Sequence, residues 1–170
     1  MRVPDPAFFR PSPLLAAFGL LGAVLGIGSG PRQVPSVPAF ASYAVDSVYH
    51  GPLAPVDLAR SHKARRFRTV LKRGAQKGPN FAGHLTVVTW GCGTSCIEVA
   101  LVDARTGQVT ASPIGAGYGV QHHLDSRLLV IDRVQCSDTS WAAPYAIFLE
   151  WTGHALRILD SLPNSRICKA

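Results

Sequence analysis

The chain has 170 residues, 47% of them hydrophobic and 16% charged, with 16 Gly, 13 Pro and a net charge of +7. So much apolar material with so few charges excludes a disordered charged tail and a coiled coil, and favours a compact, turn-rich fold. Setting the N-terminal segment aside leaves about 130 residues, enough for one hydrophobic core and one domain.

Arg2 and Arg10 precede an apolar run over residues 14–27, and small and Pro-rich residues follow to Ala41. That layout is a secretory signal, with Ala39-Phe40-Ala41 as the cleavage motif. The rival is an uncleaved anchor, a membrane tether, but the run is short of the ~20 residues a spanning helix needs. It also contains Gly19, Gly22 and Gly26. Residues 31–41, with Pro31, Pro35 and Pro38, read as a linker, so 1–41 are assigned to signal and linker and 42–170 to the domain.

Residues 43–49 suit a first strand. Ser61 is an N-cap for a helix to about Arg73, with Gly74 as its C′ residue. Ala64, Phe67, Val70 and Leu71 form its apolar stripe. Beyond Gly78 the period changes to that of strands. Residues 85–90 and 97–103 make a hairpin, with Leu85, Val87 and Thr89 on one face and Ile97, Val99 and Leu101 on one face. Residues 104–107 have turn chemistry and lead to 108–111. Residues 113–119 read as a Gly-rich loop. A second strand group follows at 127–133, 144–151 and 155–160, the last two joined by Thr152-Gly153. The apolar runs 128–131 and 146–149 imply strands covered on both faces. The economical fold class is α+β, an antiparallel meander with one amphipathic helix on a face.

Four cysteines follow the N-terminal segment, Cys92, Cys96, Cys136 and Cys168. In an exported chain they read as disulfides. Cys92 ends one strand and Cys96 begins the next. A meander returns Cys168 to the end at which Cys136 left, which gives the pairs 92 with 96 and 136 with 168.

The segment Gly91, Cys92, Gly93, Thr94, Ser95, Cys96 is the most unusual in the chain, and with Trp90 and His84 it forms the candidate binding set. Its glycines permit the positive φ of a tight ring, which presents Thr94 and Ser95. The plainest use is a structural disulfide. Redox chemistry is disfavoured because three residues, not two, lie between the cysteines and no helix N-terminus follows. Thiolate zinc ligation with His84 lacks four ligands. His122, His123 and Asp125 suit metal ligation or a hydrolytic base, or else a polar turn before residue 127. No nucleophile elbow, zinc motif or carboxylate pair accompanies them, so no catalytic residue, metal or cofactor is assigned. Residues 115–119 resemble a phosphate-binding loop only in composition, since no helix follows.

Charge points to a partner. Residues 60–77 hold eight basic residues and no acidic ones, and everything after them sums to −1. Arg65, Arg66, Arg68, Lys72 and Arg73 form this patch, either a solvated helix face or a surface for anionic lipid, an anionic polymer or an acidic protein. Nucleic acid is disfavoured for want of interleaved aromatics.

The motifs GPNFAGH at 78–84, VTWGCGTSC at 88–96 and VDARTG at 102–107 resemble a family of small exported bacterial proteins. The likeness covers roughly residues 50–160 and implies a shared fold, without an activity. In architecture the chain also resembles the periplasmic inhibitors of vertebrate lysozyme, where a helix precedes a sheet and a disulfide-closed loop enters the enzyme's cleft. The corresponding loop here is the Cys92 to Cys96 ring, which is shorter and has Thr94 and Ser95 where that family carries a His. The resulting expectation is a non-enzymatic periplasmic or cell-surface binding module, an inhibitor in one version. Its partner would be an envelope protein or anionic polymer. The alternative is a small extracytoplasmic enzyme using His84, or His122 and His123, beside the ring.

Overall fold

A computed structural model describes residues 36–137 and 143–169. The apolar run at 14–27 lies outside them. Among the described residues the fold is α+β with antiparallel pairing, but the strands divide between two sheets and there are three short α-helices, not one sheet with one helix. In the first sheet β1 (Leu85–Gly93) pairs with β2 (Cys96–Asp103), and β2 with β3 (Val109–Ala111). In the second, β4 (Val120–His122), β5 (Leu128–Ile131), β6 (Tyr145–Trp151) and β7 (Leu156–Pro163) pair in sequence order. Strand β4 was not expected, because Val120-Gln121-His122 offers a single apolar residue.

Strand alternation builds three apolar clusters. Leu85, Val87, Val99 and Leu101 of the first sheet meet Leu129, Ile131, Leu149 and Trp151 of the second. The outer face of the second sheet, with Leu128, Val130, Ala146, Phe148 and Leu162, is covered by Val37, Phe40 and Tyr43 and by Ile167 of α3 (Asn164–Ile167). The outer face of the first, with Val88, Ala100 and Val102, is covered by Ala64 and Leu71. Burying a large apolar side chain of this kind contributes about 1.5–3 kcal/mol. The runs read as strands covered on both faces are therefore so covered.

The expected single helix is two. α1 (His62–Arg66) is capped by the Ser61 hydroxyl, which accepts from the Ala64 N–H at 3.2 Å. Phe67 then leaves helical geometry at φ −102°, ψ 22° and turns its ring onto Trp90, with centroids 4.7 Å apart, before α2 (Arg68–Ala75) begins. Gly74 lies inside α2 and is not its C′ residue. The left-handed glycine beyond the helix is Gly78, at φ +81°.

Residues 43–49, expected as a strand, touch the domain at isolated points. Ala44 bridges Ser126, the Val45 N–H donates to Asp125 O and the Tyr49 N–H to Gly83 O. Of residues 36–41, read as linker, Val37 and Phe40 pack on the domain: Phe40 opens a short 3-10 helix (Phe40–Tyr43), stacks on His123 at 3.9 Å, and its carbonyl accepts the buried Ser126 hydroxyl at 2.8 Å.

Candidate functional site

Both expected disulfides are present, Cys92 to Cys96 and Cys136 to Cys168, and no cysteine among the described residues is free. The first closes a ring at the tip of the β1–β2 hairpin. Register slips between Gly91 and Gly93, so Cys92 is the extra residue of a bulge, and Gly93 at φ +142° and Ser95 at φ +51° turn the chain. Burial in β1 stops at Val88. From Thr89 outward the strand is an arm in solvent apart from Trp90, and every residue from Gly91 to Cys96 is exposed.

A brace stands behind the ring. The Ile97 and Ala116 backbones exchange hydrogen bonds at 2.7 and 2.8 Å, and a side chain at Gly115 would stand 2.9 Å from Ile97 O, so this approach requires glycine. The Asp132 carboxylate accepts the N–H groups of Gly117, Tyr118 and Gly119 at 2.8–3.1 Å. The Gly-rich loop is thus a concavity of backbone donors already filled by a carboxylate of its own chain. Tyr118, 53% exposed, is left beside it.

Of the candidate set, the structure keeps Gly91 to Cys96 together at the tip. Trp90 does not offer its ring to solvent. It is half-buried against Phe67, at a small hollow lined by Ser61, Ala64 and Leu71, and its indole nitrogen is without a hydrogen-bond partner. His84 precedes β1 at the opposite end of the strand, eight residues or roughly 25 Å from Cys92 at strand rise. There its Nε2 lies 3.8 Å from an Asp103 carboxylate oxygen that also pairs with Arg105. Burial first and the Arg105 charge second hold the His84 pKa below its ordinary value, against the pull of Asp103. A hollow of 460 Å³ beside it is lined by residues 44–47, Arg127, Trp151 and Gly153, among others. Arg127 is committed to Glu150 at 2.9 Å.

His122 and His123 are parted from one another. His122 is fastened through Nδ1 to Asn80 O at 3.0 Å, with its pKa lowered chiefly by burial, while His123 stacks on Phe40. No group of three His, Cys, Asp or Glu side chains among the described residues has a metal-binding arrangement. The histidines and the ring are therefore not assembled into one site.

The basic residues lie along α1 and α2. Arg65 donates to the carbonyls of Leu58 and Ala59, at 3.4 and 2.8 Å, which makes it a tether of the preceding loop. Arg66, Arg68, Lys72 and Arg73 are exposed. Sequence reasoning missed the pairing of Lys63 with Glu98 on β2, and missed Asp132, whose signal is an acidic residue leaving a strand opposite a glycine run.

The chain matches no protein-family model. It matches no curated protein and no solved structure.

Proposed function

We propose that the chain is an exported, non-enzymatic binding module whose recognition element is the ring closed by Cys92 and Cys96. The observation that carries this reading is the combination of full exposure with fixation from two sides. The ring stands on an arm beyond the core, yet it is closed covalently and braced through Ile97 and Ala116. A loop ordered before it meets its partner avoids the free-energy cost of ordering on contact. Two disulfides support an oxidising compartment outside the cytoplasm. No helix among the described residues is long and apolar enough to cross a membrane. The partner is an envelope protein that accepts Thr94 and Ser95 in a cleft.

The test is a photo-crosslinking side chain at Thr94, compared with one at the exposed His154 on the β6–β7 turn, in cells that export the chain. A single adduct from position 94 only, lost when Cys92 and Cys96 are both Ser, is expected. Equal adducts from both positions, or an adduct that survives opening of the ring, would remove the ring from the binding surface.

A further inference from the structure

Arg66, Arg68, Lys72, Arg73 and Lys77 all face solvent, and none has an ion-pair partner among the described residues. Arg66 leans on the Phe67 ring at 5.5 Å, while the neighbouring cations Arg60 and Lys63 are paired with Asp57 and Glu98. Two hollows adjoin along this helix. One, of 350 Å³, is lined by Arg68, Thr69, Lys72, Arg73 and Gln76. The other, of 380 Å³, is walled by Leu53, Pro55, Val56 and Leu58 and shares Lys72 and Gln76 with the first. Leu53 is 43% exposed at its edge. This wall is held in place, because the Ala54 N–H donates to Ala104 O and the Asp57 N–H to Gly107 O, each at 2.8 Å. Gly107, at φ +74°, leaves no room for a side chain against Pro55 O.

We propose that these hollows form one docking groove for an acidic peptide segment of a partner protein. A large apolar side chain of that segment sits between Leu53 and Leu58, and its Asp or Glu residues run along Arg68, Lys72 and Arg73. Charge complementarity selects the acidic partner. Concavity selects a peptide over a bilayer: a lipid surface is met by protruding apolar groups, and here the apolar residues wall a recess. A polyanion without apolar groups would leave that recess unfilled. The groove stands on different residues from the ring, so each reading survives the failure of the other.

The test uses the purified chain and a fluorescein-labelled short peptide of glutamates flanking a Leu-Phe pair, read by anisotropy between ~50 mM and ~300 mM salt. Binding that weakens with salt is expected, and R68Q/K72Q/R73Q should weaken it by about tenfold and flatten its salt dependence. L53S, and a peptide with Ser-Ser in place of Leu-Phe, should each weaken it several-fold. All four substituted side chains are exposed, and unchanged melting temperatures of the variants would show that they fold. Absence of peptide binding overturns the proposal. Binding indifferent to L53S and to loss of the Leu-Phe pair also overturns it and leaves a general polyanion surface. Displacement of the peptide by phosphatidylglycerol vesicles that bind more tightly would assign the face to a membrane instead.

Discussion

Gly74 lies so close to Val88 that a methyl group on the glycine would stand 2.6 Å from one Val88 methyl and 2.7 Å from the other. This close approach of α2 to the first sheet explains a glycine inside a helix, where alanine would otherwise be favoured by about 1 kcal/mol. Gly74→Ala is expected to lower stability despite that preference, since rotating Val88 exchanges one clashing methyl for the other. Denaturant midpoints for Gly74→Ala, Val88→Ala and the double variant would show it. The double variant should be more stable than the sum of the single losses allows, and additivity would mean that the contact is not tight.

Asn164 is the buried polar knot of the C-terminal end. Its amide donates to Asp132 O and Ala143 O, both at 2.9 Å, and its side-chain oxygen accepts the Val134 N–H at 3.2 Å. Asn164→Ala strands three backbone groups and should cost about 3 kcal/mol, measured by urea unfolding. A loss under ~1 kcal/mol would mean that water replaces the amide.

The two disulfides should differ in effect on stability. The cysteines of the ring are 4 residues apart in sequence and those of the other pair 32. Loop entropy assigns about 2 kcal/mol to the short closure and ~3.5 to the long one. Replacing Cys136 and Cys168 with Ser should lower the melting temperature by about 10 °C. Opening the ring should cost less, and calorimetry that ranks them in reverse order would show that the ring supports the core.

His84 and His122 set a pH dependence. Burial, the leading cause for both, holds each pKa below its ordinary value of 6.5 in the folded chain. The unfolded chain therefore binds more protons around and below that pH, and stability rises with pH there. Their contribution is complete above about 6.5 and is lost as pH falls through the lowered folded values. Unfolding midpoints should drop between pH 7.5 and 5, less steeply in a His84→Gln/His122→Gln variant. An identical slope in the variant would assign the effect to other groups.

The hairpin and its cysteine pair were legible in sequence because alternation and turn glycines are local signals, and the pair of Cys136 and Cys168 followed from reading the later strands in sequence order. The split into two sheets was not. Leu129 and Leu149 meet Val87 and Leu101 through packing between distant segments, and periodicity says only that a face is buried, not what covers it. Gly74 misled because a glycine after a helical stripe reads the same whether it caps the helix or admits a neighbour. His84 was grouped with the ring for its nearness to a motif, although the strand between them carries the two apart. The ring's exposure followed from its position at a turn. Its brace did not, since nothing local ties Asp132 to residues 117–119.

If the N-terminal segment is removed after Ala41, as the sequence implies, the packing of Phe40 bears on when that cut can be made. A peptidase reads its substrate as an extended strand, whereas the bond after Ala41 lies inside a short helix whose first residue is stacked on His123 and bonded to Ser126. Such a cut would compete with docking: made first, it would leave the second sheet without Phe40, and made after docking, it would have to unwind the helix, since Ala41 and Ser42 are exposed but not extended. A cut upstream of Val37 would keep the cover in place, so the mature N-terminus would report which process is faster.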